Sequence, residues 1–287
     1  MKRWMKRPSM RTLGRWALGA AAVGFACLVY SYVTLPDVRP LRTSNPDTTA
    51  FIELRAAEAR AAGRTPRRYQ QWVTYGQISH HLKRAVLVAE DDAFWQHEGV
   101  DFEQLQESLE LDWKRGTFTR GGSTITQQLA KNLYLSPSKN PIRKLRELII
   151  ARRLETELKK ARILEIYLNV IEWGDGVFGA EAAARTYFQT SARALGPSQA
   201  ALLAAAIASP HLYNPARPNA RLIRRQQLIL RRMGAVTPPA ESPAEPQAEP
   251  PAEPQAEPPA EPQAEPPLEP EAEPPAEPEA DASVELR

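Results

Sequence analysis

Residues 121–132 read GGSTITQQLAKN, a glycine pair followed by neutral hydrogen-bonding side chains and one cation. Gly121 and Gly122 free the backbone to turn sharply or to approach a ligand closely. Ser123, Thr124, Thr126, Gln127, Gln128 and Asn132 then crowd directed polar groups into a short run, with Lys131 near its end. A core helix is specified by apolar spacing and has no use for this density of polar side chains. A surface that grips a sugar or a phosphate does. Taken alone, the run fits a glycine-led turn into a polar helix start equally well. Its surroundings separate the two readings.

Upstream, residues 85–101 read AVLVAEDDAFWQHEGVD, with Glu90, Asp91, Phe94, His97, Gly99 and Asp101. Downstream, residues 143–155 read RKLRELIIARRLE and residues 159–188 read KKARILEIYLNVIEWGDGVFGAEAAARTYF. The last block, 198–215, is SQAALLAAAIASPHLYNP. Five blocks in this order, over roughly residues 70 to 233, closely resemble the peptidoglycan glycosyltransferase family. That family, found also as one domain of class A penicillin-binding proteins, polymerises lipid-linked disaccharide-peptide units into glycan strands. The length fits a monofunctional member.

Composition sets the outer organisation. Lys2, Arg3, Lys6, Arg7, Arg11 and Arg15 precede an uncharged stretch, residues 16–35. Twenty residues in helix reach about 30 Å, the thickness of a bilayer core. Basic residues before the span predict a cytoplasmic N-terminus and a catalytic domain on the periplasmic side of the inner membrane. Bulky Val29, Tyr30, Tyr32 and Val33 near its end argue against a cleaved signal peptide. The single cysteine, Cys27, lies inside this stretch and excludes an intramolecular disulfide or a cysteine-rich metal site. From about 237 to 287 the chain repeats AEPPAEPQ and variants, too poor in apolar residues to build a core. The formal charge of +3 divides into −13 on this tail and +16 on the rest. A basic domain suits anionic lipid or pyrophosphate, and behind an export-oriented anchor it does not suit nucleic acid. The expected organisation is a cytoplasmic segment at 1–15, a transmembrane helix at 16–35 and a connector at 36–69. A glycosyltransferase domain at 70–236 and a Pro/Glu/Ala-rich tail at 237–287 follow.

Helical patterns are legible at 52–62, 78–90, 102–115, 125–134, 142–161, 161–172, 197–208 and 219–233. No run alternates at period two over a useful length, so the fold is expected to be mainly α. The resemblance implies a lysozyme-like glycosyltransferase domain with a smaller mobile lobe formed by loops between about 105 and 145, preceded by one transmembrane helix.

Glu90 follows Leu82 and Val86 at helical spacing, where an apolar face ends. By resemblance it is the general base that takes the proton from the acceptor 4-hydroxyl, with direct displacement and inversion at the anomeric carbon. Glu147 is followed at helical spacing by Ala151, Leu154 and Leu158, an inward face on which an unpartnered carboxylate is costly. The resemblance makes it the second acid of the site, positioning the donor pyrophosphate through neighbouring bases or a divalent cation, Mg or Mn; no organic cofactor is implied. A salt bridge to Arg143 and Lys144 is the plainer alternative. Asp91, Phe94, Ser123, Thr124, Gln127, Gln128, Lys131, Asn132, Arg143 and Lys144 form the expected substrate-binding set, with weaker assignments to Lys139 and Arg146. Phe94, like His97, Tyr167, Asn169, Tyr187 and Phe188, equally fits a packing role.

Carboxylate pairs also serve glycan-cleaving enzymes, so cations and donors for a leaving pyrophosphate carry the distinction. A lysozyme-like enzyme would release fragments from purified wall; a silent membrane scaffold would keep its cellular phenotype after Glu90→Gln. The SPSK at 136–139 matches a penicillin-binding S-x-x-K pattern, but no later K-T-G follows it and no room remains for a second catalytic domain. The implied partners are lipid II, the growing lipid-linked glycan, membrane lipid and other cell-wall synthesis or division proteins.

Overall fold

The structure, a computed structural model, describes residues 10–101, 106, 122–136 and 140–234. Nine α-helices and three very short strands are present among them. Helix α1 spans Met10–Val33, α2 Ala50–Ala61, α3 His80–Glu90, α4 Ile125–Tyr134 and α5 Pro141–Glu157. Then come α6 at Lys160–Val170, α7 at Ala180–Phe188, α8 at Pro197–Ala206 and α9 at Ala220–Arg232. The mainly α architecture is as expected. Most of the helical pattern at 102–115, Gly121 at the start of the glycine-rich turn, Lys139 and the tail lie outside the described residues.

Local chemistry places the helix starts. Thr49, Ser79, Thr124, Asn140 and Asn219 each cap a helix by accepting a backbone N–H with the side chain, which satisfies one donor the helix cannot. Pro141 and Pro197 begin α5 and α8, where the missing N–H costs nothing. Helix α5 stops at Glu157, short of the expected 161, because Leu158 adopts extended backbone and α6 restarts two residues on.

Three strands that no periodicity announces hold the connections together. Strand β3 (Val177–Phe178) pairs in parallel with β1 (Tyr69–Gln70) and antiparallel with β2 (Glu172–Gly174). Their two or three residues each are too few for an alternation signal. The sheet fastens the segment entering α3 to the hairpin leaving α6. Asn169, at the end of α6, completes the tie: its amide donates to Val73 O and its carbonyl oxygen accepts from Val73 N, both at 2.9 Å.

Helices α4 and α6 pack together, and α5 lies against α4. Leu82, Leu87, Leu129 and Leu154 have no exposed surface in this core; each such leucine contributes about 1.5–3 kcal/mol by burial. Helix α8 packs against both α3 and α9. Its buried run Ala200, Ala201, Leu202, Leu203, Ala204, Ala205 and Ala206 is mostly alanine, so neighbouring backbones approach closely on two sides. Of the region expected as a mobile lobe, α4 belongs to this core through buried Ile125, Leu129, Ala130 and Leu133, while residues 107–121 and 137–139 lie outside the described residues.

In α1, Trp16, Leu18, Val23, Phe25, Tyr30, Tyr32 and Val33 are exposed. Several side chains of this helix are not among those described, and over the described residues no helix is long and apolar enough to cross a membrane.

Candidate active site

Glu90 is the last residue of α3. Its Oε2 accepts from Gln128 Nε2 at 3.0 Å, and Gln128 Oε1 accepts from the Tyr167 hydroxyl at 3.0 Å. The order is imposed by chemistry. Tyr167 is fully buried and its pKa is raised well above the usual phenol range, chiefly by burial, so it donates. That fixes the amide of Gln128 with its NH₂ toward Glu90. Glu90 is itself pushed above the usual carboxylate range, first by burial, against the opposing pull of the Gln128 hydrogen bond and the charges of Arg225 and Lys131. A carboxylate raised in this way is suited to accepting a proton near neutral pH.

A second cluster forms where α5 meets α4. Glu147, 3% exposed, receives Arg143 Nη1 at 2.5 Å and Lys144 Nζ at 2.6 Å. Lys144 Nζ also donates to Gln127 Oε1 at 3.0 Å and Ser123 Oγ at 3.2 Å. Lys131 stands between the clusters and feels both. Its pKa lies below the usual lysine range, first through burial and then through Arg143 and Lys144, while Glu147 and Glu90 pull the other way. Among the described residues the Lys131 ammonium makes no ion pair or hydrogen bond.

Several expected contacts lie beneath this surface. Asp91, the residue after α3, is 2% exposed and accepts from Ile125 N at 2.8 Å and from His97 Nε2 at 2.9 Å. Gly99 N donates to His97 Nδ1 at 3.1 Å, which makes Nδ1 an acceptor and assigns the ring proton to Nε2. Gly99 O in turn accepts from Thr124 Oγ1 at 2.7 Å and Gln127 Nε2 at 3.1 Å. Only glycine suits this position, with φ of 88° and a would-be Cβ 3.1 Å from Glu155 Cγ. Phe94 has no exposed surface and lies under the Lys160 ammonium at 4.4 Å. Asp91, Phe94, Thr124 and Gln127, expected as substrate contacts, are buried here, and Asp91, Thr124 and Gln127 are engaged in hydrogen bonds within the fold. Asn132 is nearly buried. Arg146 turns away to Thr34, donating to its Oγ1 at 2.6 Å and its O at 2.9 Å. Ser123, Gln128, Lys131 and Lys144 keep exposed surface beside the two acids.

The residues present do not fit a protein-held divalent cation. Each Glu147 oxygen is already taken by a cationic side chain, and among the described residues no group of three or more His, Cys, Asp or Glu is placed to hold a metal. Two cavities lie elsewhere. One of about 420 Å³ between Tyr32 and the outer face of α5 is lined by Leu148, Arg152, Arg153 and Thr156. The candidate site is recognised by its chemistry, not its concavity.

The Transglycosylase family model matches residues 58–234. The chain belongs to that family. It is 48% identical over 232 residues to the biosynthetic peptidoglycan transglycosylase of Dechloromonas aromatica (strain RCB), covering 80% of this chain and 100% of that one. To the protein of the same description in Azoarcus sp. (strain BH72) it is 49% identical over 205 residues, covering 71% and 89%. The corresponding protein of Laribacter hongkongensis (strain HLHK9) is 44% identical, covering 78% and 99%. The family match begins upstream of the boundary expected at residue 70 and takes in the end of α2.

Asp91 gives this family member a stability prediction. Asp91→Ala strips a buried partner from Ile125 N and from His97, which costs about 2 kcal/mol or more. The melting temperature followed by circular dichroism should fall by roughly 5 °C or more. An unchanged melting temperature would contradict the tie between α3 and α4.

Proposed function

We infer that this chain is a peptidoglycan glycosyltransferase of cell-wall synthesis, joining lipid II to the growing lipid-linked glycan. The observation that carries the reading is the pairing, across α3 and α4, of a desolvated carboxylate with an ammonium free of any ion pair among the described residues. Glu90 takes the proton from the acceptor 4-hydroxyl as that oxygen bonds to the donor anomeric carbon. The bond from that carbon to the diphosphate oxygen breaks, and its electron pair leaves on undecaprenyl diphosphate with inversion at carbon. Lys131 faces the developing negative charge, and Lys144, oriented by Glu147 and Ser123, adds a second cation. A glycan hydrolase has no leaving diphosphate to neutralise, which favours synthesis over the lysozyme-like cleaving alternative. The helical domain on this reading is of the lysozyme-like kind. Incubating the purified full-length protein with lipid-linked disaccharide-peptide and resolving polymer by electrophoresis tests the assignment; fragments released from purified wall, with no polymer, would refute it.

The uncharged residues 16–35 within and just beyond α1, with their exposed aromatic and aliphatic side chains, support a single inner-membrane anchor with the catalytic domain in the periplasm. Both substrates carry lipid tails, so an anchor keeps enzyme and reacting sugars in one thin layer and raises their effective concentration. A form starting at residue 45 should lose more activity on liposomes than in detergent, with added salt widening the difference as basic-domain attraction to headgroups is screened. Equal rates of truncated and full-length protein on liposomes at physiological salt would dismiss the anchor's role.

A further inference from the structure

Arg225 lies outside the blocks that suggest catalysis in the sequence, yet its Nη2 stands 3.6 Å from Glu90 Oε1. That separation is too long for a hydrogen bond and close enough for a strong charge interaction. The two oxygens of Glu90 thus meet different neighbours, a neutral amide from α4 on Oε2 and a guanidinium from α9 on Oε1. The groups acting on this environment come from several elements: Gln128 and Lys131 from α4, Tyr167 from α6, Arg225 from α9, and Asp91 next in the chain, while apolar α8 supplies no charge. Arg225 acts on the carboxylate more strongly than Lys131 does. No other carboxylate is paired with Arg225 among the described residues, and its buried Nε has no hydrogen-bond partner. Two turns further along α9, Arg232 Nη2 pairs with Asp92 at 2.6 Å and Nη1 donates to Val88 O at 3.3 Å. Residues seven apart share a helix face, so α9 is registered against the C-terminal end of α3 at two points. Arg225 is held over Glu90 by that registration.

We propose that Arg225 is a positioning residue for the reaction, holding the Glu90 carboxylate ionised and oriented for the incoming hydroxyl. This rests on Glu90 being the proton acceptor of the glycan-joining step. A buried carboxylate left alone would take up a proton early and be unable to act as a base. The guanidinium keeps it available, while its half-exposed position leaves enough basicity for the proton to transfer. When the acceptor oxygen bonds to the anomeric carbon, its proton moves to Glu90. The resulting neutral acid is disfavoured beside Arg225, which speeds return of the proton to solvent.

The experiment compares rate against pH for the full-length protein in detergent, using fluorescent lipid-linked disaccharide-peptide, in wild type, Arg225→Gln, Arg225→Lys and Glu90→Gln. Removing the cation should move the acid limb of the profile upward by about half to one pH unit. Rates below the limb then fall about 3- to 10-fold, while the alkaline plateau is largely kept and Arg225→Lys stays near wild type. A purely structural arginine would instead lower the rate by one factor at every pH, leaving the limb in place, and that result overturns the proposal. Carbon-13 titration of the Glu90 carboxyl, identified by its loss in Glu90→Gln, gives the same answer without turnover: an unmoved midpoint in Arg225→Gln also overturns it. Retained polymerisation in Glu90→Gln would bring down the base assignment and this inference together. An inactive Glu90→Gln with an unmoved limb in Arg225→Gln removes this inference alone.

Discussion

Glu90→Gln should abolish glycan polymerisation, with a loss of about 10²-fold or more, the range of a positioned general base. The substitution keeps the size of the side chain and its contact with Gln128 but removes the proton acceptor. Burial of Glu90 already disfavours its charge, so a neutral amide is tolerated and the melting temperature should hold or rise. Loss of activity with retained stability separates a chemical role from a structural one. Polymer formed at a near wild-type rate would remove Glu90 from the reaction.

Lys131→Ala should lower the maximal rate by about 10²-fold, the scale of losing one preorganised group at a developing charge. Precursor binding should change much less, because the cation interacts most strongly as the diphosphate departs. Steady-state measurements of kcat and KM distinguish the cases: a raised KM with intact kcat would make Lys131 an anchoring residue. Arginine at this position is expected to rescue poorly. Its planar fork differs from a compact ammonium, and Lys131 occupies a largely buried place already bordered by Arg143 and Lys144.

The sequence carried the helices that have one apolar stripe, such as α3 and α9, and also α8 through its flanking prolines, but missed α7. Helix α7, AEAAARTYF, buries Ala180, Glu181, Ala182, Ala183 and Ala184 in succession. Over the first half of this helix no single face stands out. Its start is instead a backbone matter: Gly179 has φ of 84°, and a Cβ there would lie 2.6 Å from Asn169 O. In the site, Glu90 and Glu147 stand out in the sequence as carboxylates ending or interrupting apolar faces. Asp91 looks like a partner of Glu90, but it lies one residue past the end of α3 and its carboxylate turns to Ile125 N and His97 instead. Tyr167 and Arg225 left no such trace. Each acts through a residue far away in the chain, Gln128 and Glu90 respectively, and a lone tyrosine or an arginine in a basic run reads first as packing or solvated surface.

The alanine-rich α8 packs against both the helix that bears the base and the helix that bears its arginine, and those two also touch each other. Methyl side chains hold its backbone about as close to each of those two helices as side chains allow, so α8 gauges the gap on either side. Enlarging Ala204 or Ala205, both without exposed surface, would widen the gap without touching any polar residue, and the 3.6 Å approach of Arg225 to Glu90 would lengthen with it. Apolar drift in this helix is therefore not neutral for the enzyme. An interior that looks like plain filler transmits its dimensions directly to an acid–base setting, so inherited variation there would tune how sharply the enzyme responds to acidity.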